Sequence, residues 1–261
     1  MDNGPESIHN AYVHAIAALV VLPPCPYEPG RFFQAHATAS LTRAVELGTM
    51  VAYHEPLRPF YVASNLRAIC EDVIALSYLT TLAPEHREDF LQSSLILDII
   101  DLNRKQVRFL TQYRPSQPLT EYEDRDGAEA KAKSALTALG KLYGWPRNRV
   151  KPTVSHMARE ARLQHLYDFI YSGTSHLVHF SPLVLMQMEG PHAGEWSSNQ
   201  HRGFAEYNLV YLTILTVQLY LSVRPEVDPD GLLADDVAFL RLWTDDRSAW
   251  PELLTAPLAD R

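Results

Sequence analysis

Four side chains at a constant spacing of four residues carry the clearest chemical signal in the chain: Tyr167, Tyr171, Ser175 and His179. On a helix that spacing stacks them along one face. Phe169, Ile170, Leu177 and Val178 set this polar row in apolar surroundings. Phenol, hydroxyl and imidazole groups so placed must find hydrogen-bond partners if they are buried. In a functional reading His179 is the acid/base, and Tyr171 and Ser175 orient it or the ligand. Tyr167, Ser172 and His176, on the same segment, are ligand-lining candidates. The structural alternative is an internal network that fixes helix packing, the commoner role of tyrosines at helical spacing. Gly173 lets another backbone approach closely, which suits either role.

A second group lies about a hundred residues earlier. Arg67 and Glu71, four apart, can pair on one helix face, and Ile74 and Tyr78 extend that face. Leu66, Ile69, Cys70, Val73 and Leu76 make their neighbourhood apolar, so the pair must be well hydrogen-bonded where it is buried. Functionally, Arg67 holds a phosphate, Glu71 orients His179 and Tyr78 contacts the ligand; structurally, the pair clips one or two helices. A third group is the basic run Lys141, Arg147, Arg149, Lys151, Arg159 and Arg162. In an acidic protein it is the stretch suited to RNA or a phosphorylated ligand, with Arg147 and Arg149 as contacts. The alternative is a solvated loop whose charges pair with the acidic stretch Glu121 to Lys133 before it.

His176 and His179 are too few for a metal site, and Glu71, Asp168 and Glu206 are only acidic candidates to complete one. No Glu-x-x-His pair falls in a long core helix; Glu6-Ser-Ile-His9 has the spacing but lies at the N-terminus. The reading is therefore no metal and no cofactor. Gly-rich phosphate loops, Gly-x-Ser-x-Gly, His-Glu-x-x-His and Cys-x-x-Cys are all missing from the sequence.

The elements that must position these groups are helical throughout. Apolar periodicity predicts helices over Ser7–Leu22, Arg31–Tyr53, Pro59–Leu82 and Glu85–Gln112. The last of these would present Phe90, Leu91, Leu95, Ile99, Leu102 and Val107 to the core. Further helices are predicted over 128–143, from a Thr153 or Ser155 cap to Ala161, over 164–188 with Pro182 interrupting, over 201–223, and after Gly231 to Trp243. Trp145 should anchor the loop before the short helix. No segment alternates with the period of a strand. The fold class is all-α, a multi-helix bundle in one domain over 1–261, with its core at about 31–223 and a C-terminal helix and tail over 224–261.

Composition sets the outer bounds. The chain has 261 residues, 46% hydrophobic and 21% charged, with a net charge of −8. That is ample material for a core, and it argues against nucleic-acid binding driven by overall charge. Two cysteines, Cys25 and Cys70, make no disulfide framework, and a cytoplasmic setting follows. The apolar runs 15–22 and 209–223 are too short to span a membrane, so no membrane partner is expected.

Arg67-x-x-x-Glu71 with Tyr78, then Trp145, then the Tyr167/Tyr171/Ser175/His179 row together resemble a bacterial helical family of unknown function, over roughly Leu41 to Pro182. The late helix is more distantly similar to that of HEPN domains, many of them metal-independent ribonucleases of defence and toxin systems. Their signature is an arginine shortly before a histidine, acting at the ribose 2′-hydroxyl and the scissile phosphate, often across a dimer. The resemblance implies a HEPN-like core with additional helices, and a homo-oligomer. His179 matches the histidine, whereas Ser172 stands at the arginine position, so the charge must come from Arg67 or a partner subunit. Three readings follow: a HEPN-like protein acting on RNA or in stress and phage defence; a non-catalytic scaffold or partner-binding subunit; or a small-molecule enzyme whose apolar pocket is lined by Tyr78, Tyr171 and Phe180.

Overall fold

Proline sets several of the helix boundaries. Pro59 and Pro84 each stand at the first position of a helix, where a missing N–H costs nothing. The computed structural model describes residues 25–53, 59–114, 116, 127–146, 149–178 and 198–231. The helices are α1 (Phe32–Tyr53), α2 (Pro59–Leu79), α3 (Pro84–Tyr113), α4 (Ala128–Leu142), α5 (Val154–Glu160), α6 and α7 (Ser198–Val227). Helix α6 runs as Gln164–Leu166, a π turn over Tyr167–Tyr171, and Ser172–Val178. No strand occurs among the described residues, so the fold is all-α. The predicted helices before residue 25 and after Gly231, and the stretch around Pro182, lie outside the described residues.

The helix at the centre is α2, not the tyrosine-bearing α6. Leu66, Ile69, Cys70, Val73, Ile74, Tyr78 and Leu79 are all buried. Apolar side chains so widely distributed demand cover on most sides. Helices α1, α5, α6 and α7 supply it. Among the described residues of α2, Asn65 is exposed and a strip of Arg67, Ala68, Glu71, Asp72 and Ala75 stays partly open. Helix α7 packs on α2 with Tyr211, Leu212, Leu215, Leu219 and Tyr220 buried, and Ser77 and Ser222 join hydroxyls at 2.6 Å.

Helix α2 stops at Leu79 rather than running to Leu82. The hydroxyls of Thr80 and Thr81 donate to the carbonyls of Ser77 and Tyr78, both at 2.7 Å, satisfying acceptors that another helical turn would have used. Helix α7 runs four residues beyond its expected end, through Pro225. The chain past that proline is held by Asp228, whose N–H reaches Arg224 O at 2.8 Å and whose carboxylate accepts from Tyr220 Oη.

Helix α3 corrects the expected apolar face. Phe90 and Leu91 are buried, but Ile100 takes the place of Ile99, and Leu102 is exposed. The reason lies in what covers the helix. Its first turns meet α1, where the Glu88 carboxylate accepts the N–H groups of Phe32 and Phe33 at 2.9 and 3.0 Å. They also meet α7, through Arg87 and Glu226 at 3.1 Å. Helix α4 lies antiparallel along another side, from His86–Tyr143 at 2.7 Å to Arg104–Glu129 at 2.5 Å. The remaining face of the second half meets solvent.

Trp145 anchors its loop as expected. It is buried, its Nε1 donates to Tyr78 Oη at 2.6 Å, and its ring meets Phe90 edge-on. Gly140 makes room for it: a Cβ there would lie 3.0 Å from the indole. Thr153 caps α5 by accepting from His156 N at 3.2 Å.

Candidate functional site

The site forms where the open strip of α2 meets α6. Local sequence explains the shape of α6. Ser172, Gly173, Thr174 and Ser175 follow one another, and all three hydroxyls turn back onto the helix backbone. Ser172 Oγ donates to Tyr167 O at 2.8 Å, Thr174 Oγ1 to Ile170 O at 2.6 Å, and Ser175 Oγ to Tyr171 O at 2.6 Å. The backbone N–H of Ser172 also reaches Tyr167 O, five residues back. Such back-bonding loosens the ordinary helical ladder, and a π turn results. Within it the rings of Tyr167 and Tyr171 stack 5.1 Å apart at an interplanar angle of 18°.

Arg67 crosses from α2 onto this turn. Its Nε donates to Ser175 Oγ at 3.1 Å and its Nη2 to Tyr171 Oη at 2.5 Å. The guanidinium carbon also lies 4.5 Å from the Tyr171 ring centroid. Nη1 stands 3.6 Å from Glu71 Oε2, the expected ion pair four residues along the helix. The Arg67 side chain is 23% exposed and that of Glu71 42%, so the cluster is reachable from solvent.

These contacts decide what each group can do. Ser175 Oγ accepts from Arg67 and donates to the Tyr171 carbonyl, so its proton is committed to the helix backbone. Tyr171 accepts from Arg67 and keeps its own proton. Burial, and then the negative charge of Glu71, raise its pKa, so it remains a phenol that can donate. Arg67 has five N–H donors and commits only some of them to Tyr171 and Ser175.

Of the sequence candidates, Arg67, Glu71, Tyr167, Tyr171 and Ser175 come together. Ser172 is on the same helix, but its hydroxyl serves the backbone. Tyr78 does not join them. It lies eleven residues, roughly 16 Å, along α2 from Arg67, and its hydroxyl takes the Trp145 N–H. Arg149 is exposed in the loop before α5. Arg147, His179 and the side chain of His176 lie outside the described residues, as does Phe180.

The basic run is partly neutralised among the described residues, while most of the stretch expected to pair with it lies outside them. Lys151 pairs with Asp98 on α3 at 2.7 Å and Arg159 with Glu160 at 3.0 Å. Among the described residues no three His, Cys, Asp or Glu side chains converge as a metal site.

Sequence reasoning missed two groups beside the site. Cys70 is buried, and its thiol points at Leu166 O at 3.7 Å, tying α2 to the start of α6; burial raises its pKa far above the ordinary thiol value. Asp72, one residue after Glu71, pairs with Arg43 of α1, and burial raises its carboxyl pKa despite that partner. The run Ser-Gly-Thr-Ser was the available signal for the π turn; nothing local signalled Arg43–Asp72.

Comparison with known proteins places this geometry in a family. No curated protein and no solved structure matches the chain. A family model matches residues 59–194, just over half of the chain, beginning at the first residue of α2 and including every described residue of the Arg67 cluster. The chain belongs to the family of unknown function DUF5677.

Proposed function

We propose that this is a HEPN-like helical protein that binds RNA at the Arg67–Tyr171–Ser175 cluster and cleaves it with His179 as the acid/base. The observation that supports this is the position of Arg67. The HEPN signature needs an arginine just before the histidine, and Ser172 stands there with its hydroxyl turned onto Tyr167 O. Arg67 brings a guanidinium from α2 to Tyr171 and Ser175, the latter four residues before His179. A fixed positive charge is what serine cannot supply. The uncommitted N–H donors of Arg67 and the phenol proton of Tyr171 suit phosphate oxygens and the charge that builds on them in the transition state. In this reading His179 takes the proton of a ribose 2′-hydroxyl, that oxygen attacks the adjacent phosphorus to close a 2′,3′-cyclic phosphate, and the P–O5′ bond breaks as the 5′-oxygen takes a proton from water.

One observation favours a second reading, a non-catalytic partner-binding subunit. Both bonds of Ser175 run to protein groups, as they would in a clip between α2 and α6. Cleavage of labelled single-stranded RNA, with and without EDTA, separates the two. The tested proteins are the native chain, His179→Ala and Arg67→Gln, matched for folding by circular dichroism. Cleavage that resists EDTA and is lost in both variants supports the nuclease. No cleavage by the native protein, with both variants less stable, supports the clip.

A further inference from the structure

The second half of α3 carries a stripe that the bundle does not use. Ile99, Leu102, Gln106, Phe109 and Tyr113 are spaced 3, 4, 3 and 4 residues apart. They fall within an arc of about 80° around the helix. That spacing is the seam of a helix that pairs with another helix. Ile99 is 45% exposed, Leu102 57%, Phe109 56% and Tyr113 62%. Leu91, two turns earlier on the same stripe, is buried. The seam therefore leaves the core and continues into solvent.

We propose that this face is where a second copy of the chain docks, α3 against α3, with Gln106 at the two-fold axis. Three features favour a second copy over an unrelated partner. First, the seam is nearly palindromic. Ile99 and Tyr113 each lie seven residues from Gln106, and Leu102 and Phe109 lie four and three residues from it. A two-fold axis through Gln106 therefore sets apolar residues against apolar residues, as a self-complementary interface requires. Second, the central residue is a primary amide, donor and acceptor in one group, so two copies can satisfy each other. Third, the flanking charges do not repel a copy: Asp101 and Lys105 are paired at 2.6 Å within the helix.

The area is adequate as well. Four half-exposed side chains of this size present roughly 400 Å² of apolar surface, the size of the largest and often functional patch on a monomer. Two copies would bury roughly twice that, and with the apolar share usual in homodimers the whole contact comes to about 1,200 Å². A contact of that size lies at the lower end of specific interfaces and well below obligate ones, which suits a reversible dimer. This inference does not depend on the RNA reading.

Sedimentation velocity on the full chain between about 1 and 100 µM tests it. The expected result is a concentration-dependent shift from the 29.5 kDa monomer to twice that mass. Leu102→Glu combined with Phe109→Glu should weaken association at least 30-fold, and Arg108→Gln, off the seam, should leave it unchanged. As a second reading, Gln106→Cys in a Cys25→Ser background should form an inter-chain disulfide under mild oxidation, and adding Leu102→Glu should abolish it. A native chain that stays monomeric at 100 µM overturns the proposal. So does a dimer that survives the double glutamate variant with its circular dichroism spectrum intact.

Discussion

Arg67→Ala tests whether the bridge between α2 and α6 carries the weight its geometry implies. The side chain makes two charge-assisted hydrogen bonds, to Ser175 and Tyr171, and lies over the Tyr171 ring. At its intermediate exposure each bond contributes about 1 kcal/mol and the ring contact about 0.5 kcal/mol; the Glu71 pair adds a few tenths. Truncation leaves no buried orphan, because Ser175 still donates to Tyr171 O. The expected loss is therefore about 2.5 kcal/mol. With a urea m-value near 3 kcal/mol/M, the unfolding midpoint should fall by about 0.8 M. Tyr171→Phe keeps the ring and removes only the hydroxyl, so a double-mutant cycle isolates the Nη2–Oη bond at about 1 kcal/mol of coupling. A midpoint shift below about 0.2 M, or coupling below about 0.3 kcal/mol, would refute the view that Arg67 is held by α6.

Two other measurements probe the frame around the site. Gly140→Ala pushes a methyl to 3.0 Å from the Trp145 indole; an overpacking cost of about 1–3 kcal/mol outweighs the roughly 0.5–1 kcal/mol that alanine gains over glycine in a helix, so Tm should fall with a changed near-ultraviolet spectrum, and an unchanged or raised Tm would mean the indole is free to shift. His156 gives a pH dependence. Its Nδ1 accepts from Arg159 Nη2 at 2.9 Å, its Nε2 is buried without a partner, and burial and then the Arg159 charge lower its pKa from the ordinary 6.5. The folded state thus binds fewer protons than the unfolded state as the pH drops. Stability is complete above about 6.5 and falls as the pH drops through it, by at most about 1.4 kcal/mol per unit. A His156→Gln variant should lose that part of the slope between pH 7 and 5.5; parallel curves for the two proteins would show that His156 does not titrate differently on folding.

Much of this architecture was legible because its determinants are local. The prolines at positions 59 and 84, the Thr153 cap and the anchoring Trp145 each act within a few residues of the boundary they set. The phase of α3 was only half legible. Its apolar stripe is continuous in sequence, but periodicity cannot say where the neighbouring helices stop covering it. At the site, residue types and spacing on each helix pointed to Arg67, Tyr171 and Ser175. That Arg67 meets the other two is a contact across more than a hundred residues, which no local pattern encodes. The π turn was missed because the four-residue spacing was extended through Ser-Gly-Thr-Ser as though the helix were uniform.

That turn also fixes how the segment tolerates changes of length. A π turn accommodates one residue more than an α-helix needs over the same rise. Deleting a single residue between Tyr167 and Tyr171 would let the helix relax to ordinary geometry with the segment after it kept in nearly its old phase, so Ser175 would still face the guanidinium. The same deletion between Ser172 and Ser175, where the ladder is already α-helical, would turn Ser175 about 100° away from Arg67. The count of residues is therefore under looser constraint within the turn than in the helical stretch that follows it.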